Sequence, residues 1–112
     1  MNILSFMKGA DINEAVKECR ANAKAILLDV REPSEYNAGH IPGAVNIPVG
    51  QVSSRAGELK DKNAPVYVYC LSGGRAGSAV SALKALGFKD VRNIGGIKAY
   101  KGEVEKNKGR SF

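Results

Sequence analysis

Cysteine and histidine are scarce in this chain. Its 112 residues hold two cysteines, Cys19 and Cys70, and one histidine, His40. That is too few ligands, too widely spaced, for a zinc site, and no metal is expected. Two thiols do not make the disulfide framework of a small secreted scaffold. Long apolar runs are missing as well: no segment approaches the ~20 residues needed to span a bilayer. The opening "MNILSFMKGADINEA" lacks the apolar stretch and small-residue cleavage site of a secretory signal. A cytoplasmic protein without membrane association is the expectation. Aromatics are sparse where the charge is greatest. The net charge is +6. Residues 84–112 carry eight Lys/Arg against three acids, with Tyr100 and Phe112 as their aromatics besides Phe88. Acids interrupt the basic residues, so a solvated end that draws in small anions is the reading, and nucleic acid is not an expected partner.

What is present is a regular alternation. "GADINEAVKECRANAK" reads as a helix, with Asp11 as N-cap and Glu14 completing a capping-box pattern. Ile12, Ala15, Val16 and Cys19 share one face at helical spacing. Cys19 therefore reads as a core residue, with a resolving or regulatory thiol as the alternative. "AILLDV" is a short apolar run suited to a strand covered on both faces. Pro33 is placed to open a short helix in "REPSEYNAG", and "AVNI" reads as a brief strand between prolines. "VGQVSSRAGEL" is weakly helical. "PVYVYC" is the clearest strand and "GSAVSALKALG" the clearest helix, with Ala79, Val80, Leu83 and Leu86 as its stripe and Gly87 at its end. "KDVRNI" reads as a further strand, "GG" as a bend, and "IKAYKGEVEKN" as a last helical segment. This order predicts an α/β layered fold with a mostly parallel sheet. Ligands of such folds bind beyond the carboxyl ends of the strands. Cys70, Asp29 and Arg31 stand there.

The segment "CLSGGR" raises the chemical question. Gly73 and Gly74 allow backbone conformations that other residues resist. A loop curling there can turn successive N–H groups inward as an anion nest. The helix that follows adds its positive N-terminal end, and Arg75 a full charge. A thiol so placed is expected to favour the reactive thiolate. Two readings stay open at this level. One is a structural cysteine beside a glycine turn. The other is a nucleophile that carries a transferred sulfur or phosphoryl group. Other site types fare worse. "GGRAGS" has no P-loop lysine, and no G-x-G-x-x-G is present. A Ser/His/Asp site would need His40, which in "GHIPG" reads as a turn histidine bonded to backbone.

Three stretches together resemble a known family. "LLDVREPSEYNAGHIPGAVNIP" is similar to the signature of rhodanese-like domains, "VYVYCLSGGRAGSAV" to their active-site loop, and "VRNIGGIKAYKG" to their C-terminal glycine–aromatic segment. Tyr100 stands where the family commonly has tryptophan, which reads as a packing variant. The resemblance implies a three-layer α/β fold: a sheet of about five mostly parallel strands with helices on both faces. It divides the chain into an extension at 1–10, the domain at 11–104 and a basic tail at 105–112. It also implies sulfurtransferase chemistry without a cofactor. Cys70 would take sulfur from a small anionic donor such as thiosulfate and pass it to a thiol, a thioredoxin-like protein being one candidate acceptor. The N–H groups of Leu71, Ser72, Gly73, Gly74 and Arg75 would hold the persulfide, and Arg75 the donor's anionic group. Asp29 and Arg31 are expected as supporting residues. Glu35, His40, Gly43 and Asn46 are expected as turn architecture. Related phosphatases and arsenate reductases carry C-x5-R, whereas this chain has C-x4-R, a shorter ring suited to one added sulfur. No Asp or Glu lies in or just after the loop to act as general acid. A sulfur carrier or binding module serving a partner protein is the second reading, and a Cys-dependent phosphatase or arsenate reductase the third.

Overall fold

The computed structural model describes residues 11–107. Their elements alternate: α1 (Ile12–Arg20), β1 (Ile26–Asp29), α2 (Pro33–Ala38), β2 (Val45–Asn46), α3 (Val52–Arg55), β3 (Val66–Cys70), α4 (Gly74–Ala85) and β4 (Val91–Gly96). Short 3-10 turns flank α3 at Val49–Gln51 and Ala56–Leu59. The strands form one sheet in the order β2-β1-β3-β4, and every pairing is parallel.

Period-two alternation divides the core into two layers. Leu28, Val66, Val68 and Cys70 face α3, the 3-10 turn after it and α4, where they meet Val52, Ala56, Ala76, Ala79 and Leu83. Leu27, Tyr67 and Tyr69 face α1, where they meet Ile12, Val16 and Cys19. All five residues of β3 are buried. This is the continuous apolar pattern of a strand with both faces covered. Cys19 and Cys70 thus belong to different core layers, and both are free thiols. Burial raises the pKa of Cys19. Among the described residues, no helix is long and apolar enough to cross a membrane.

Several sequence expectations need correction. The sheet has four strands among the described residues, not five. The alternating pattern itself offers only four apolar runs; the fifth strand came solely with the family resemblance. The "GG" bend is the end of β4. Gly95 and Gly96 pair with Tyr69 and Cys70 after a register shift that leaves Ile94 as an extra residue. The last helical segment is a single 3-10 turn, Ile97–Ala99. The chain beyond it runs back to His40, where His40 and Glu105 exchange backbone hydrogen bonds of 2.9 and 2.8 Å. Leu86 leaves the α4 stripe and is exposed, while Ala76 joins Ala79 and Leu83 in the core. Asp11 caps α1 by accepting from the Asn13 backbone N–H, and Glu14 pairs with Lys17 on the surface. The 1–10 extension and the last five residues of the basic tail lie outside the described residues.

Candidate active site

Cys70 is the last residue of β3, and its side chain is buried in the α4 layer. Three residues separate it from α4. The middle of the site is made by backbone. The N–H groups of Gly73 and Ala76 donate to Cys70 Sγ at 3.0 and 3.3 Å. Gly73 has φ +111°, a left-handed conformation that a side chain would resist. It forms the N-cap of α4, whose first N–H groups have no intrahelical acceptor and whose dipole places positive charge beside the sulfur. The loop expectation covered Leu71 to Arg75. Of that span the Gly73 N–H donates to Sγ, and Ala76, one residue beyond it, supplies the second N–H donor.

The second turn of chain beneath the loop holds it in place. Asn93 on β4 donates from Nδ2 to the Gly73 carbonyl at 3.0 Å and accepts from the Gly95 N–H at 2.9 Å. The Lys98 N–H donates to the Leu71 carbonyl at 3.2 Å. Leu71, Ser72 and Gly74 face solvent, so the loop is an exposed rim around a buried sulfur. Asn93 and Gly96 carry no local motif that marks them in the sequence. The paired glycines of "NIGG" were the only hint that this strand end makes a close backbone approach.

Arg75 does not stand free above the sulfur. Its Nη1 and Nη2 donate to Glu35 Oε1 and Oε2 at 2.7 and 3.1 Å, and each side chain of the pair is about one-third exposed. Glu35 sits in the first turn of α2, where its Oε1 also accepts from the Glu32 N–H. Its carboxyl is held down to about 2, first by the hydrogen bond from Arg75. Arg75 is pushed up, chiefly by Glu35 and with a smaller contribution from the charge of Cys70. In sequence Glu35 reads as turn architecture; the fold delivers it to the cysteine loop.

Asp29 and Arg31 form a buried pair at the carboxyl end of β1, with Asp29 fully buried and Arg31 nearly so. Arg31 donates from Nε to both carboxylate oxygens and from Nη2 to Oδ2 at 2.8 Å. Its Nη2 also reaches the Gly39 carbonyl. Asn46 Nδ2 donates to the carbonyls of Asp29 and Arg31, which ties β2 to this edge. These contacts engage the pair with the sheet edge and the α2 turn. His40 is also buried. It stacks on Tyr36, its Nδ1 lies 2.9 Å from the Tyr36 carbonyl, and its Nε2 faces the Glu105 carboxylate at 3.6 Å. Gly43 has φ +93° in the turn before β2. Tyr100 packs against the α1 layer. No cluster of three or more His, Cys, Asp or Glu able to hold a metal occurs among the described residues.

Comparisons with known proteins agree with this architecture. The rhodanese-like domain model matches residues 12–103. Thiosulfate sulfurtransferase PspE of Escherichia coli is 43% identical over 72 residues, covering 63% of this chain and 69% of that protein. The putative sulfur carrier protein YrkF of Bacillus subtilis is 45% identical over 80 residues, covering 70% of this chain but only 43% of the relative. Among solved structures, a rhodanese with anions from E. coli superposes with a TM-score of 0.69 at 37% identity, covering 73% of this chain and 98% of that one. The Alr3790 protein from Anabaena gives 0.76 at 31% identity, covering 84% and 79%. With its matched span, its parallel sheet and its cysteine loop at the end of β3, this chain belongs to the rhodanese-like domain family.

Proposed function

We propose that this protein is a sulfurtransferase that carries sulfur as a persulfide on Cys70. The observation that supports it most directly is the pair of N–H groups, from Gly73 and Ala76, converging on Cys70 Sγ at the start of α4. Those donors suit an anionic sulfur, and the same cradle suits the terminal sulfur of a persulfide. In the first step the Cys70 thiolate attacks the outer sulfur of thiosulfate. The S–S bond to the sulfonate sulfur breaks, sulfite leaves with that electron pair, and the enzyme holds Cys–S–S⁻. In the second step an acceptor thiolate attacks the outer sulfur. The Cys70 thiolate leaves and the acceptor becomes the persulfide. Charge is conserved in both steps, and no cofactor enters. Two half-reactions through a covalent intermediate give ping-pong kinetics.

Arg75 keeps three N–H donors beyond the two used by Glu35, and these are available to the donor's anionic group. Asp29 and Arg31 act as supporting residues that tie the carboxyl end of β1 to β2 and to the α2 turn. A phosphatase reading fits less well. Glu35, the carboxylate brought to the loop, is ionised against Arg75 and has no proton to give a leaving alcohol. The likeness to a putative sulfur carrier favours a second role, in which a partner protein's persulfide loads Cys70 and a thioredoxin-like protein is an acceptor.

The test is mass spectrometry of the intact protein after incubation with thiosulfate, beside Cys70→Ser. The expected result is a gain of about 32 Da, lost on adding cyanide and missing in the variant. A gain that survives in Cys70→Ser overturns the reading. No gain with thiosulfate, but a gain from a persulfidated protein donor, selects the carrier role.

A further inference from the structure

The loop cation and the α2 carboxylate are 40 residues apart in sequence, yet the fold seats them as a two-pronged ion pair beside the cysteine. This arrangement has a consequence for the kind of sulfur donor the site accepts. Resting on the sulfurtransferase reading, we propose that Glu35 is a specificity-determining residue, balancing the charge of Arg75 and biasing the site against dianionic donors in favour of donors of lower charge.

Three observations carry this. First, the pairing is bidentate, and Glu35 is independently anchored by the Glu32 N–H, so the carboxylate is a built feature of α2 and not a wandering surface chain. Second, the pair remains partly open to solvent, each side chain about one-third exposed, so an incoming anion meets both charges and not the guanidinium alone. Third, the other arginine near this edge is withdrawn from solvent and already charge-paired: Arg31 is buried, with its Nε and Nη2 engaged by Asp29 and the Gly39 carbonyl. Arg75 can still donate hydrogen bonds to a donor anion, but with its charge offset it discriminates weakly in favour of a second negative charge. A persulfide or thiosulfonate, bearing one negative charge at its sulfur end, is disfavoured less than thiosulfate.

The experiment compares two donors of like leaving-group chemistry: thiosulfate, a dianion, and benzenethiosulfonate, a monoanion. Glu35→Gln keeps the side-chain shape and removes the charge. Its KM should fall about fivefold for each unit of donor charge, so the preference for thiosulfate over thiosulfonate rises about fivefold. The maximal rate with thiosulfonate should change little, and the gain should shrink as salt is added. Glu35→Asp, which restores the charge on a shorter stem, should recover the wild-type preference. Equal changes with both donors, or a fall in maximal rate alone, would mean that Glu35 only holds the loop and would overturn the proposal. Binding of thiosulfate and of benzenethiosulfonate to Cys70→Ser and to Cys70→Ser/Glu35→Gln, read by calorimetry, separates the two readings. If the wild type takes up no sulfur but the double variant still gains preference for the dianion, the sulfurtransferase reading falls and the role of Glu35 stands. If sulfur transfer occurs and that preference is unmoved, the role of Glu35 falls alone.

Discussion

Gly96 and Leu71 meet backbone to backbone: a Cβ on Gly96 would lie 2.0 Å from the Leu71 carbonyl oxygen and 2.4 Å from its carbonyl carbon. The end of β4 is thus the floor on which the cysteine loop rests. Both sides of the contact are main chain, so no rotamer change can relieve it. Gly96→Ala should push the loop away from Cys70, costing about 1–3 kcal/mol of stability. Sulfur loading should slow about 100-fold, as expected when reacting groups are displaced by about 1 Å. Gly57→Ala, at a position with no atom near the added Cβ, should change neither. Urea titration and the loading rate by mass spectrometry check both variants.

Asn93 links β4 to the Gly73 carbonyl and to the Gly95 N–H. Asn93→Ala removes the clamp on the residue whose own N–H donates to Cys70 Sγ. Stability should fall by about 1 kcal/mol, the usual net worth of such a bond. The rate of persulfide formation should fall more than stability suggests, by about tenfold. Unchanged loading in Asn93→Ala would show that Gly73 holds its left-handed geometry without help.

The buried Asp29–Arg31 pair should behave asymmetrically. Arg31→Met strands a fully buried carboxylate and should cost about 3–5 kcal/mol. Adding Asp29→Asn to it should recover part of that loss, because the stranded charge is gone. Chemical denaturation of the two variants decides the point; equal stabilities would deny that burial of Asp29 dominates the cost.

Glu35 supplies a pH signature. Its carboxyl titrates at about 2 in the folded protein, against an ordinary value of 4.5. A folded pKa below the unfolded one means that the unfolded chain takes up the proton first as pH falls. The pair's contribution to stability is therefore complete above pH 4.5, declines between 4.5 and 2, and vanishes below 2. The stability difference between wild type and Glu35→Gln should be flat at neutral pH and shrink through that window. The partial exposure of the pair keeps this difference small. Unfolding midpoints in urea across the acid range test it, and a difference that widens on acidification contradicts the assignment.

The local features of this protein are legible in its amino-acid sequence because their causes are local. The five apolar residues of β3 ask for burial on both faces, whatever lies beside them. Gly73 and Gly87 stand where left-handed backbone is needed, beside the cysteine and after α4. The alternation of apolar strands and amphipathic helices implies parallel layers, and so places Cys70 at a carboxyl edge. The tertiary structure alone decided the rest. Residues 97–107 have enough helical character to suggest a helix, but beyond the 3-10 turn their backbone bonds go to distant chain: Lys101 N–H to the Asn13 side chain, Glu105 to His40 in a strand-like exchange, and Asn107 N–H to the Asn37 carbonyl. Glu35 reads as part of a turn until the sheet order β2-β1-β3-β4 and the start of α2 bring its carboxylate to Arg75. The register shift that sets Gly96 under Leu71 depends on β4 pairing with β3 and has no mark in the sequence beyond two adjacent glycines. Periodicity and backbone freedom are properties of a few neighbouring residues; charge pairing and close approach between distant segments exist only once the layers have packed.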